Sequence, residues 1–211
     1  SQRDEEILQT AQRAYNALAQ RESYCILVRK RTLAGKTFGG WEKKRGALIQ
    51  LNRLIENGDE SPFKLILGKK PTAKYVITLD SDTLTNSCLS LVELMEHPYN
   101  AETNVISVNM NTMAEEQGGT LFSRFFRGAT GLDNYRNYAS DAEFDIFDSG
   151  NYTGKGIYRV KGFQEKVSEA FRDNRILSHD YIEGAFAGCA QSRETALDGF
   201  PQNFSSFLTR Q

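Results

Sequence analysis

The sequence predicts an α/β sandwich with a mainly parallel central sheet flanked by helices, and three features predict it. Short apolar runs of strand length alternate with longer segments of helical periodicity. One run, YVITLDSDT, ends abruptly in two aspartates one residue apart, Asp80 and Asp82. The chain has 211 residues, 39% of them hydrophobic, enough to bury a substantial core. With no internal repeat or strong linker, residues 1–211 are expected to form one domain, cut at both ends from a longer polypeptide.

The elements follow in order. SQRDEEILQTAQRAYNALAQR reads as a helix with Ile7, Ala11, Tyr15 and Leu18 on one face. SYCILVRKR is a buried-strand run, and TLAGKTFGG a glycine-rich polar loop. WEKKRGALIQLNRLIENG predicts an amphipathic helix with Leu48, Leu51, Leu54 and Ile55 as its stripe and Gly58 as its C-cap. AKYVITLD is the next strand, and NSCLSLVELMEH a helix capped by Asn86 or Ser87. NVISVNM is a strand, and TLFSRFFRGATGLDNYRNYA a long aromatic-rich helix. The glycine-spiced stretch SDAEFDIFDSGNYTGKGIY is read as loop. VKGFQEKVSEAF and HDYIEGAFAG are helices, CAQSRETAL is a late strand, and FPQNFSSFLTRQ has no clear element.

Composition excludes several classes. Lys+Arg is 26 and Asp+Glu 27, so the net charge of −1 gives no footing for nucleic acid. Cys25, Cys88 and Cys189 are scattered, without metal-ligand spacing, and read as reduced thiols. No apolar run approaches the ~20 residues that span a bilayer.

In an open parallel sheet, ligands bind beyond the carboxyl ends of strands. Asp80 and Asp82 therefore stand where a site would lie, and two hard oxygen donors suit Mg²⁺ or Mn²⁺ bridging to a diphosphate. The competing reading is a turn whose aspartate caps the next helix. Leu84 and Thr85 rule out an EF-hand, and Leu84 also breaks the D-x-D-x-T of aspartyl-phosphate phosphatases. Lys43, Lys44 and Arg45 fall in the first turn of a helix, where cations oppose the dipole unless an anion is near. Gly150, Gly154 and Gly156 around Lys155 lack P-loop spacing but permit close backbone approach to a ligand. His179, Asp180 and Glu183 lie within five residues; Asp180 fits a helix N-terminus or a general base, and His179 a substrate-orienting role. The alternating acids Asp141, Glu143, Asp145 and Asp148 read as a solvated face.

Taken together, WEKKRGALIQLNRLI, YVITLDSDT, EHPYN, SRFFRGATGLDNY, SDAEFDIFDSGNYTGKGIY, NRILSHDYIEG and the late FP resemble, in order, the glycosyltransferase domain of cyclic β-1,2-glucan synthases. These are bacterial membrane proteins whose catalytic core is related to the cellulose-synthase-like family 2 glycosyltransferases. The resemblance implies a GT-A fold and inverting transfer of glucose from UDP-glucose to a growing β-1,2-glucan. It implies that Asp80 and Asp82 hold a divalent ion and the UDP diphosphate, with Lys44 of a K-x-G-x-L element beside the nucleotide. Asp180 falls at the catalytic aspartate of the T-E-D motif, with His179 in place of the preceding acid. Gly154, Lys155, Gly156, His179 and Glu183 fall on the acceptor side. The parent protein is then expected at the cytoplasmic face of the inner membrane, this segment itself carrying no membrane span. Arg159 stands where an acidic residue is expected. The family's first strand and its Q-x-x-R-W-type motif are missing, so these 211 residues are expected to be inactive alone. The alternatives are a non-catalytic scaffold with a degenerate donor site, or a nucleotide-sugar transferase making another linkage.

Overall fold

The structure, a computed structural model, describes residues 2–34, 37–113, 120–126, 146, 150–172, 180–199 and 201–210. The chain divides into two compact units, Ser1–Lys74 with Phe171–Leu177, and Tyr75–Ala170 with Ser178–Gln211.

In the first unit, helix α1 (Gln2–Ala17) precedes strands β1 (Cys25–Arg29), β2 (Arg31–Ala34) and β3 (Thr37–Gly40), helix α2 (Lys43–Asn57) and strand β4 (Phe63–Gly68). β1 pairs antiparallel with β4 from Cys25↔Gly68 to Arg29↔Phe63, with a bulge between Val28 and Arg29. β2 and β3 form a hairpin, Arg31↔Gly40 to Ala34↔Thr37, where the sequence suggests only a glycine-rich loop. β4 has no counterpart in the sequence reading: FKLILG follows a helix so closely that its short apolar run merges with the preceding stripe. The expected C-cap holds. Gly58 is left-handed at φ 69° and its N–H returns to Leu54 O at 3.0 Å.

The second unit contains strands β5 (Tyr75–Thr78), β6 (Leu84–Thr85), β7 (Val105–Thr112), β8 (Gly156–Arg159) and β9 (Cys189–Asp198). Its helices are α3 (Cys88–Glu96), α4 (Leu121–Phe126), α5 (Val160–Val167), α6 (Asp180–Ala187) and α7 (Phe204–Arg210). The strands form one sheet in the order β5-β8-β7-β9-β6. Only β7 and β9 are parallel; β5–β8, β7–β8 and β6–β9 are antiparallel. The expectation of a mainly parallel sheet is therefore overturned. The cause is GKGIY: read as loop, it forms β8 and slots antiparallel between β5 and β7. Its short apolar run behind glycines carries no alternation to announce a strand.

The sheet is covered on two sides. Leu91 and Met95 of α3 pack with Ile106, Val108 and Met110 of β7, Ile157 of β8 and Ala196 of β9. Val105 and Tyr158 are also buried, as are Val160, Phe163 and Val167 of α5, with the Tyr158 and Phe163 rings 4.5 Å apart. Each such side chain contributes roughly 1.5–3 kcal/mol of burial. In β7 the core residues Ile106, Val108 and Met110 alternate with Ser107, Asn109 and Asn111, the period of a strand.

β5 and β6 lie at opposite edges of the sheet, yet only residues 79–83 separate them. Four strand spacings of roughly 4.8 Å nearly exhaust the reach of so short a connection, so the sheet must curl. That connection carries Asp80 and Asp82 across the strand ends.

Candidate functional site at the strand ends

β5 delivers its last residue, Thr78, to the same edge at which β8 begins and β9 ends. The chain then turns: Thr83 N–H donates to Asp80 O at 3.1 Å, and Asp80 N–H to Thr83 Oγ1 at 3.3 Å. This tight turn leaves Asp82 exposed and Asp80 partly so. The Thr83 hydroxyl, buried beneath, donates to Asp198 Oδ1.

Lys155 closes the arrangement. Its Nζ lies 3.0 Å from Asp80 Oδ2 and 3.1 Å from Asp198 Oδ2, with the lysine side chain only 14% exposed. Burial acts against the ammonium, but the hydrogen bonds and charges of the two aspartates outweigh it and raise the lysine pKa above its ordinary value. Gly156 explains how the backbone comes so close. Its φ is +145°, and a Cβ there would stand 2.2 Å from Ile106 O of β7.

Tyr152 lies behind these groups, 1% exposed, with its hydroxyl 3.0 Å from Thr78 Oγ1. Burial pushes its phenol well above the ordinary tyrosine range; the bond to Thr78 opposes this, while the charges of Asp180 and Glu183 add to it. Gly184 of α6 meets the same tyrosine: a Cβ there would stand 2.5 Å from Tyr152 Cβ. Asp180 begins α6, as the sequence implies, partly exposed one turn before Gly184, and Glu183 is fully buried. The second unit thus holds Asp80, Asp82, Gly154, Lys155, Gly156, Asp180 and Glu183 of the anticipated residues. His179 and the acids at 141, 143, 145 and 148 lie outside the described residues, as does the anticipated long helix beyond Phe126.

Lys44 belongs to the first unit, where the basic turn resolves differently from a plain solvated face. Arg45 is buried and its Nη1 contacts Glu42 Oε2 at 3.2 Å, both side chains 1% exposed, with its guanidinium over the Phe171 ring. The anion that the helix dipole calls for is therefore Glu42, at the N-cap. Gly46 is required because a Cβ would stand 2.0 Å from Trp41 O. Leu48 is core, and Lys44 is half-buried.

Two site residues escaped the sequence reading. Asp198 ends a strand with no motif around it, and Tyr152 stands in a stretch read as loop. Arg159, where an acid was expected, is structural: it donates to Thr103 O, Met95 O and Asn100 O and lies over the Tyr75 ring.

In open α/β sheets ligands bind outside the carboxyl ends of the strands, and here carboxylates gather at the strand ends. Comparison of the sequence gives the particular relationship. The chain is 31% identical, over a 237-residue alignment covering 99% of it, to the cyclic beta-(1,2)-glucan synthase NdvB of Rhizobium meliloti (strain 1021). It is thus related to that glucan synthase along nearly its whole length, while spanning 8% of the length of that protein. No family model matches the chain. Among the described residues no helix is long and apolar enough to cross a membrane, and no three His, Cys, Asp or Glu side chains group to hold a metal.

Proposed function

We propose that this chain is the GT-A-type glycosyltransferase portion of a β-1,2-glucan synthase, transferring glucose from UDP-glucose with inversion to a growing glucan. The observation that carries the reading is the Asp80–Ser81–Asp82 turn at the end of β5, in a chain related to a glucan synthase over nearly all its length. Asp80 and Asp82 would hold a Mg²⁺ or Mn²⁺ ion. The donor set fits: these ions commonly take one or two carboxylates and complete their shell with substrate phosphates and water, so no third protein ligand is needed. When bound, the ion would supply positive charge against the departing diphosphate.

The chain's own residues supply the rest. The acceptor 2-hydroxyl oxygen bonds to the anomeric carbon as the bond from that carbon to the diphosphate oxygen breaks, and UDP leaves with the electron pair. Asp180, at the start of α6, takes the hydroxyl proton. Gly154, Gly156, His179 and Glu183 are on the acceptor side. The parent protein would work at the cytoplasmic face of the inner membrane.

Calorimetric titration with UDP and UDP-glucose, with and without Mn²⁺, tests this against Asp82→Ala. Metal-dependent binding lost in the variant supports the transferase. Metal-independent binding unchanged by the substitution, or no binding, favours a scaffold with a degenerate donor site. Product analysis then separates a β-1,2 linkage from any other.

A further inference from the structure

We infer that Lys155 is a diphosphate-binding residue of the donor site, rather than an acceptor contact; the inference rests on the donor-site reading above. Its ammonium stands at the strand ends against Asp80, one of the two carboxylates assigned to the metal and diphosphate. An ammonium carries three N–H donors. Two are directed to Asp80 Oδ2 and Asp198 Oδ2, and the third has no hydrogen-bond partner among the described residues.

Charge leads the same way. Asp80, Asp82 and Asp198 place three carboxylates around the turn that, on this reading, receives a polyanion, and a single divalent ion offsets only two of those charges. A fixed cation in their midst lowers the repulsion that an incoming diphosphate meets. Lys155 is also held in place: Gly156 brings β8 against Ile106 O, and Val108 N–H reaches Lys155 O at 3.5 Å. The side chain therefore reaches the turn from the residue immediately before β8, whose backbone carbonyl is tied to β7.

The test is calorimetric titration with UDP and with uridine, each in EDTA and in Mn²⁺, of the wild type, Lys155→Met, Lys155→Arg, Asp198→Asn and Asp82→Asn. Lys155→Met should weaken UDP binding about 10- to 100-fold, the scale of one charge-assisted hydrogen bond, and leave uridine binding unchanged. Lys155→Arg should recover part of the loss. Asp198→Asn removes a carboxylate that competes for the ammonium and should tighten UDP binding several-fold. If Lys155→Met does not fold, Asp198→Asn decides: unchanged or weaker UDP binding overturns the inference. UDP binding equal to wild type in a folded Lys155→Met, with loss in Asp82→Asn, overturns the inference and leaves the donor site standing. No UDP binding by the wild type removes both.

Discussion

The Tyr152 hydroxyl lies 3.0 Å from Thr78 Oγ1, joining the residue two before Asp80 to a tyrosine that packs on the helix bearing Asp180. Either hydroxyl can donate in this pair, and Thr78 Oγ1 also has Gly156 O within reach at 3.4 Å. Tyr152→Phe keeps the ring and removes this one bond. It should cost about 1 kcal/mol, because a buried hydrogen bond is lost while Thr78 keeps Gly156 O as a partner. Urea denaturation checks this. A variant as stable as wild type would mean that the bond contributes nothing net.

The glycines of the sheet separate into those that matter and those that do not. Gly156, with φ at +145° and Ile106 O 2.2 Å from any Cβ, cannot accept alanine without parting β8 from β7. Gly156→Ala should cost more than about 2 kcal/mol, combining backbone strain with overpacking. Gly39 has nothing within 4 Å, and Gly39→Ala should stay within about 0.5 kcal/mol of wild type. Comparable losses in the two variants would show that the close approach of β8 is not what limits stability.

The sequence reading was accurate where a periodic pattern ran long or a cap was explicit. α2 ends at Gly58 as read, and α6 begins at Asp180. It failed on short strands. GIYR and FKLILG carry four and six residues, too few to show a period, and both become strands only because a partner awaits them. β8 then changes the sheet from parallel to mixed. Of the site, the acids were legible because Asp-x-Asp and Asp-x-x-Glu are local patterns. Asp198 was not, since it meets Lys155 and Thr83 only through long-range pairing. Arg45 was not singled out from its neighbours: nothing in KKR indicates which of three cations turns inward to Glu42.

Glu42 and Arg45 form a buried pair, and the two partners should not behave additively. Glu42→Gln leaves a buried guanidinium without its carboxylate and should cost roughly 3–5 kcal/mol. Arg45→Met should cost a similar amount by removing the buried cation beside the acid. The double variant removes both charges from the interior and should lose clearly less than the sum. A double-mutant cycle by chemical denaturation measures this coupling, and strict additivity would rule out the pair as the anion–cation device at the head of α2.

Cys189 gives the chain a pH dependence at the alkaline end. It is buried, and burial pushes its thiol from 9.0 up to about 12, a backbone hydrogen bond at Ser107 offsetting only part of this. Between pH 9 and pH 12 the unfolded chain therefore releases this proton while the folded chain keeps it. The unfolded state binds fewer protons in that window, so stability falls as pH rises, by about 1.4 kcal/mol per pH unit for this group. Below pH 9 the contribution is fully present. Cys189→Ala should lower stability at neutral pH through the lost packing, yet lose less of it across the alkaline window. Denaturation midpoints of the two proteins should therefore converge as pH rises. At pH 8 a thiol reagent should modify exposed Cys88 rapidly and Cys189 only on unfolding. Parallel pH profiles, or equal labelling of the two cysteines in the folded chain, would place Cys189 outside the core beside β7.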